Sequence, residues 1–427
     1  MVRSAPTRRT VLTQTGKALF FSPWLLAGCS PPKAKNADPV KVGILHSQTG
    51  TMAISGMAVR NAEILAIEEI NAAGGVLGRQ IEVIEEEPRS RAELYAKYAE
   101  TLLTKEKVAA VFGCWTSASR KKVLPVFEKH NGLLFYPLQY EGNESSRNII
   151  YTGAVPNQQI LPALDWLLSS DGGKKKRFYL LGSDYVFPRT ANFIIARYLR
   201  SKGVEVVGES YNPLGYRDYS TVLPKIRKAE PDIIINTING DSNIAFYNEL
   251  AAAEITPEKI PVLATSVGED GLRNLLPAKV KGHLAAWSYF QSIDTPSNTA
   301  FITQFRKEFG SDRVTDDPIV SAYTQVYLWK LAVEKAGSFE VDKVRDAFRS
   351  KIEFNAPGYA IAIDPKTQHA FRYCMIGRIR DDRQFDIVYK SPAPIEPDPY
   401  PQFAFPGWSC DWTKGGLTRG ANVAITQ

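Results

Sequence analysis

The chain has 427 residues, 44% hydrophobic and 23% charged, an ordinary balance for a water-soluble protein of about two domains. Its formal charge of +7 falls to +3 once the four unopposed cations of residues 1–28 (Arg3, Arg8, Arg9, Lys17) are set aside. That leaves no basic surface for nucleic acid: no stripe of cations interleaved with aromatics is present, and Lys174–Arg177 reads as a solvated loop before a strand.

Residues 1–28 read as an export signal, set apart from the fold. The Arg8-Arg9 pair resembles a twin-arginine motif, and Ala18–Leu26 is apolar but too short for a permanent membrane span. Leu26-Ala27-Gly28-Cys29 resembles the lipobox of bacterial lipoproteins, which implies Cys29 as the lipidated first residue of the mature chain. Residues 29–39 then form a tether to the body.

The body opens β-α-β-α-β-α-β. Val40–Leu45 is an apolar run followed by a turn, Ile54–Gly75 carries apolar residues at helical spacing and stops at a Gly pair, and Arg79–Glu86 alternates as a strand near a sheet edge. A helix over Arg91–Lys105 leads to the stretch on which the reading turns, Val108–Gly142. It gives a buried strand (Val108–Phe112), a turn (Gly113–Ser117), a helix and a second strand ending at Phe135–Tyr136. Ligands of open α/β sheets sit beyond the carboxyl ends of strands. The pattern therefore places Trp115, Thr116, Ser117, Tyr136 and Gln139 at a binding edge, with Ser117 where a helix cap belongs.

After Ile149–Gly153 the alternation begins afresh. Helices are expected over Gln158–Leu168, Thr190–Lys202, Tyr219–Ala229 and Asn243–Ala253, with strands at Phe178–Gly182, Val204–Glu209, Ile233–Thr237 and Pro261–Ala264. Two runs of one pattern predict two α/β lobes rather than a single large sheet. Gly282–Tyr289, with helices near Thr299–Phe309 and Ser321–Ala336, is expected to return to the first lobe. A helix at Val341–Ser350 and a hairpin around Asp381-Asp382 follow, and the Pro- and Trp-rich tail from Pro392 is expected to pack across the body.

Catalytic signatures are missing. Apart from Cys29 the cysteines are Cys114, Cys374 and Cys410, with no zinc spacing; the four histidines are scattered; GxSxG, Walker A and GxGxxG motifs are absent. The acidic run Glu85–Glu87 could hold a calcium ion but such runs are usually just solvated; no cofactor is expected, and with no nucleophile–base pair the chain reads as a non-enzyme.

Several segments together resemble the type I periplasmic solute-binding proteins, in particular the amide- and urea-binding branch of ABC importer components. They are Val42–Ser47 (VGILHS), Gly50–Ser55 (GTMAIS), Ala66–Gly78 (AIEEINAAGGVLG), Phe112–Lys121 (FGCWTSASRK), Tyr136–Gly142 (YPLQYEG), Gly182–Thr190 (GSDYVFPRT), Asn236–Asn243 (NTINGDSN) and Cys410–Trp412 (CDW). The resemblance spans nearly the whole mature chain. It implies two Rossmann-like lobes with parallel sheets, joined by three crossovers: residues 40–153 plus 282–338, and residues 154–281 plus 339–391, with 392–427 as the tail. It also implies a solute, urea or a short amide, held between closing lobes and delivered to membrane permease subunits. Pro88–Ala92 and Thr265–Gly271 depart from the pattern of urea binders.

Urea and small amides need donors for a carbonyl and acceptors for NH2 groups. Ser117 and Tyr136 are the candidate partners from the first lobe, and Tyr185 and Asp241 from the second, with Asp241 as acceptor. Trp115, Phe187 and Leu138 are candidate apolar walls; Asn239, Gln139 and Glu269 are further candidates. Asp241 serves equally as cap of the helix at Asn243. Alternatives are a short-chain amide or branched-chain amino-acid binding protein, or an amide-responsive sensor, which would need neither signal nor Cys29.

Overall fold

The computed structural model describes residues 38–414 and 416–419; the expected signal, Cys29 and most of the tether lie outside them. In the first lobe, β1 (Val40–Leu45), α1 (Ala53–Ala72), β2 (Ile81–Glu86), α2 (Ala92–Thr101), β3 (Val111–Gly113), α3 (Ser117–His130), β4 (Leu134–Tyr136) and β5 (Ile149–Tyr151) alternate as expected. Their sheet runs β2-β1-β3-β4-β5, all parallel. The central strand β1 buries both faces, so its sequence VKVGIL is almost continuously apolar. The edge strand β2 alternates instead.

The second lobe carries α4 (Pro156–Leu168), β6 (Arg177–Ser183), α5 (Val186–Ser201), β7 (Glu205–Asn212), α6 (Leu223–Ala229), β8 (Ile233–Thr237), α7 (Ser242–Ala252), β9 (Val262–Ala264), the short α8 (Glu269–Leu272) and α9 (Pro277–Val280), and β10 (Leu284–Trp287). Here the structure departs from the sequence reading. Gly282–Tyr289 does not open the return to the first lobe. Its strand β10 pairs in parallel with β9, and the buried apolar sequence LAAW suits a central position with both faces covered.

The chain returns through Ser288–Thr295 to α10 (Pro296–Phe309), α11 (Asp317–Ala336), which packs on α1, and α12 (Val341–Ala347). The hairpin β11 (Ile352–Asn355)/β12 (Ala360–Ile363) also lies beside α11. A last crossover, Asp364–Cys374, leads back to β13 (Met375–Ile379) and β14 (Phe385–Lys390), the expected hairpin. These two complete a seven-stranded sheet in the order β14-β13-β10-β9-β8-β6-β7, with β13 and β14 antiparallel. The tail lays Phe403 on Tyr198 and Phe405 on Phe193, then reaches β15 (Trp408–Asp411) and Trp412, whose indole N–H donates to the Pro365 carbonyl.

Candidate functional site

The carboxyl ends of both sheets face one cleft. Beyond β3, Cys114 takes a left-handed backbone (φ 66°), which turns the chain sharply into α3 and leaves Trp115 half-buried at the cleft. The cap falls on Thr116, whose hydroxyl accepts from the Ser119 N–H, and not on Ser117, the first helical residue.

Ser117 is instead part of a buried ionic knot. Its hydroxyl donates to Glu141 (2.5 Å) and accepts from Arg120 (3.0 Å). Arg120, fully buried, also reaches Glu141 (3.0 Å) and Glu144 (2.8 Å) and lies over the rings of Tyr136 and Tyr140. Burial alone would raise the Glu144 pKa, but Arg120 and Lys121 outweigh it and hold the carboxyl at about 2. Tyr151 donates to the same carboxylate, and its ring stacks on His369, which accepts from Tyr140. Sequence reading misses this knot, because Arg120, Glu141 and Glu144 look like ordinary surface charges. The available signal was Arg120 falling on the same helical face as Ser117.

Tyr136 is buried, and its hydroxyl already donates to the Trp115 carbonyl (2.7 Å), leaving only its acceptor side for a solute. From the second lobe, Tyr185 at the start of α5 comes close enough that, after burial itself, Tyr136 and Glu141 push its hydroxyl pKa well up. It is a neutral donor at any physiological pH, and its ring lies beside Phe187.

Other candidates scatter around the cleft. Asn239 is buried; its N–H binds Ser183 and its side chain reaches the Thr237 carbonyl. Asp241 occupies the cap position of α7 without making a cap bond, and pairs with the exposed Arg217 at 3.1 Å. Glu269 turns inward: one oxygen accepts from the Gln291 N–H (2.7 Å), and burial, then Asp316, raise its pKa well above normal. Leu138 is buried.

The lobes are in contact. Gln139 donates to the Thr265 carbonyl and the Ser266 hydroxyl, 3.1 Å each, from one lobe to the other. At the mouth, Gly240 (φ 68°) lies so close to the Thr51 carbonyl that a Cβ would sit 2.8 Å from it. Between the lobes remains a cavity of about 20 Å³, room for a water or two, whose wall includes Ser55, Trp115, Ser266, Asp270, Trp287 and Asp316. The sequence reading had not placed Trp287 or the two aspartates there.

Two parallel-sheet lobes shut over a polar cleft are the architecture of a bilobal solute-binding protein. The chain belongs to the periplasmic binding protein domain family, whose model matches residues 40–405. A Leu/Ile/Val-binding protein homolog of Brucella melitensis is 23% identical over 402 residues, spanning 88% of this chain and 97% of that one. Among solved structures, a solute-binding protein of an R. palustris ABC transporter with 4-hydroxybenzoate superposes with TM-score 0.74 at 20% identity, covering 83% and 97% of the two chains. The branched-chain amino acid transporter substrate-binding protein of Streptococcus pneumoniae, in complex with isoleucine, gives 0.72 at 19% identity over 83% and 100%. The fold is thus the type I periplasmic binding fold.

Proposed function

We propose that this protein is the extracytoplasmic solute-binding lipoprotein of an ABC importer and that it takes a small neutral solute, urea or a short amide, between its lobes. The observation that carries this reading is the saturation of Arg120 by Glu141 and Glu144, which leaves this guanidinium no free face for a carboxylate. Asp270 and Asp316 on the cavity wall make an anion still less welcome. Tyr136, with its acceptor side left over, and the neutral donor Tyr185 have the chemistry for NH2 groups and a carbonyl, although neither borders that cavity. The narrow cavity, with room for a water or two between the lobes as they stand, favours a very small solute over a bulky one. Anchoring through Cys29 and handover to permease subunits belong to the same proposal, supported by the lipobox-like LAGC and the family.

A branched-chain amino acid is the second reading. The relatives' names favour it, and the buried Glu269, with one oxygen lacking a partner among the described residues, would suit an ammonium group. Calorimetric titration with urea, acetamide and leucine decides. Tight urea binding with weaker acetamide and no leucine is the expected result; leucine binding would replace the reading. Turnover of urea or acetamide by the purified protein would overturn the binding role altogether.

A further inference from the structure

Behind the cleft, where the second and third crossovers pass, the structure contains a cavity that the cleft chemistry does not use. It is open, of about 520 Å³, and walled by Tyr359, Ala362, Pro365, Phe371, Tyr373 and Pro394. Lys390 does not itself line the cavity but lies against two of its rings, its Nζ 3.8 Å from the centre of the Tyr359 ring and 4.5 Å from that of Tyr373. The rim residues Lys351 and Glu353 neutralise each other.

A small recess of about 10 Å³ shares Tyr359, Ala360, Phe371 and Tyr373 with the larger cavity. Arg372 and Ser288 line it, 3% and 6% exposed. Arg372 binds Asp317 through one terminal nitrogen; its Nε and other terminal nitrogen, and the Ser288 hydroxyl, have no partner among the described residues. Buried donors left this way are costly, charged ones more than neutral ones. A recess of that size takes one oxygen atom.

We infer that this is a second ligand site, for a small carboxylate with a planar apolar body, one oxygen in the recess on Arg372 and Ser288 and the body among Tyr359, Phe371 and Tyr373. Two guanidinium N–H groups and a hydroxyl are a carboxylate's donors, and the aromatic walls with Lys390 above them favour an anionic, flat partner. The site differs in chemistry from the cleft cavity, whose wall carries two aspartates and, among the described residues, no cation.

Phenylacetate tests it on the full chain, with phenylethanol as its uncharged counterpart. Saturable one-to-one binding by calorimetry is expected, with phenylethanol weaker by about tenfold or more. Tyr373→Ala should weaken phenylacetate by about tenfold. Arg372→Gln alone strands Asp317 and risks the fold, so Arg372→Gln/Asp317→Asn serves as the second variant, expected to bind no phenylacetate while remaining folded by circular dichroism. Absence of saturable binding, equal binding by the parent and both variants, or loss of binding on Tyr185→Ala in the cleft would overturn the inference. None of these outcomes depends on which solute the cleft takes.

Discussion

The side-chain amide of Gln139 crosses between the lobes to the carbonyl oxygen of Thr265, 3.1 Å away. The same carbonyl also accepts from Gln159 of its own lobe at 3.0 Å. Removing Gln139 therefore strands no acceptor at Thr265, and its effect reports the bridge itself. Gln139→Leu is expected to shift the protein toward an open form, with a larger radius of gyration in solution scattering. Solute affinity should fall by about tenfold, the value of one or two net hydrogen bonds. Identical scattering profiles for parent and variant would count against the bridge as a closing contact.

Arg120 makes a different kind of contribution. It pairs with two carboxylates that have almost no access to water, Glu141 at 1% and Glu144 at 4% side-chain exposure, sharing Glu144 with Lys121 at 3.0 Å. Arg120→Met should destabilise the fold by about 3–5 kcal/mol, because it leaves buried charge uncompensated. Replacing the whole knot with Arg120→Met/Glu141→Gln/Glu144→Gln should cost less than the single change, which guanidinium chloride unfolding would measure.

Two buried histidines make the fold acid-sensitive. The Val262 N–H donates to His283 Nδ1 (3.1 Å), so that nitrogen is unprotonated, and burial, opposed by Glu258, pushes the His283 pKa from 6.5 down to about 4. Burial, opposed by the Thr367 carbonyl, takes His369 to about 3. Below pH 6.5 the unfolded chain takes up protons that the folded one refuses, so each histidine removes up to about 1.4 kcal/mol of stability per pH unit until its folded pKa is reached. Buried acids with raised pKa values, Glu63 and Glu269 among them, act in the opposite sense. The clean comparison is therefore His283→Gln against the parent. Its glutamine oxygen can accept from Val262, and the variant should lose less stability between pH 6.5 and 4; equal losses would show that His283 does not carry the effect.

How much of this was legible follows from range. Strand and helix positions were, because apolar period and Gly stops are local: α1 ends just before Gly74-Gly75, and the hairpin turns at Asp381-Asp382. The lobe to which β10 belongs was not, since LAAW is equally at home in either sheet and only pairing with β9 decides. Of the strand-end residues singled out, Trp115 borders the cavity between the lobes, whereas Tyr136 and Tyr185 do not. The spare valences of the cleft's polar groups were not legible, because Ser117 is engaged by Glu141, 24 positions away. Asp241, chosen as an acceptor, turns to Arg217 for the same reason: a partner 24 positions distant competes for the carboxylate.

Gly153 connects the crossover to the cleft. A Cβ there would lie 2.0 Å from the carbonyl carbon and oxygen of Leu138 and 2.5 Å from the Gln139 nitrogen. All three are backbone atoms, so no side chain can swing aside. The segment is pinned on both sides, by Thr152 N–H to the Tyr136 carbonyl (2.9 Å) and Tyr140 N–H to the Ala154 carbonyl (3.0 Å). Gly153→Ala must then displace the Leu138–Gln139 backbone and, with it, the amide that reaches Thr265. A loss of about 1–3 kcal/mol in unfolding free energy is expected, accompanied by weaker solute binding. Gly271→Ala is the matched control for stability, since its Cβ would meet Val267 at an ordinary 3.5 Å. If Gly153→Ala unfolded at the same denaturant concentration as that control, the close approach of the crossover to Leu138 would not be a constraint on the fold.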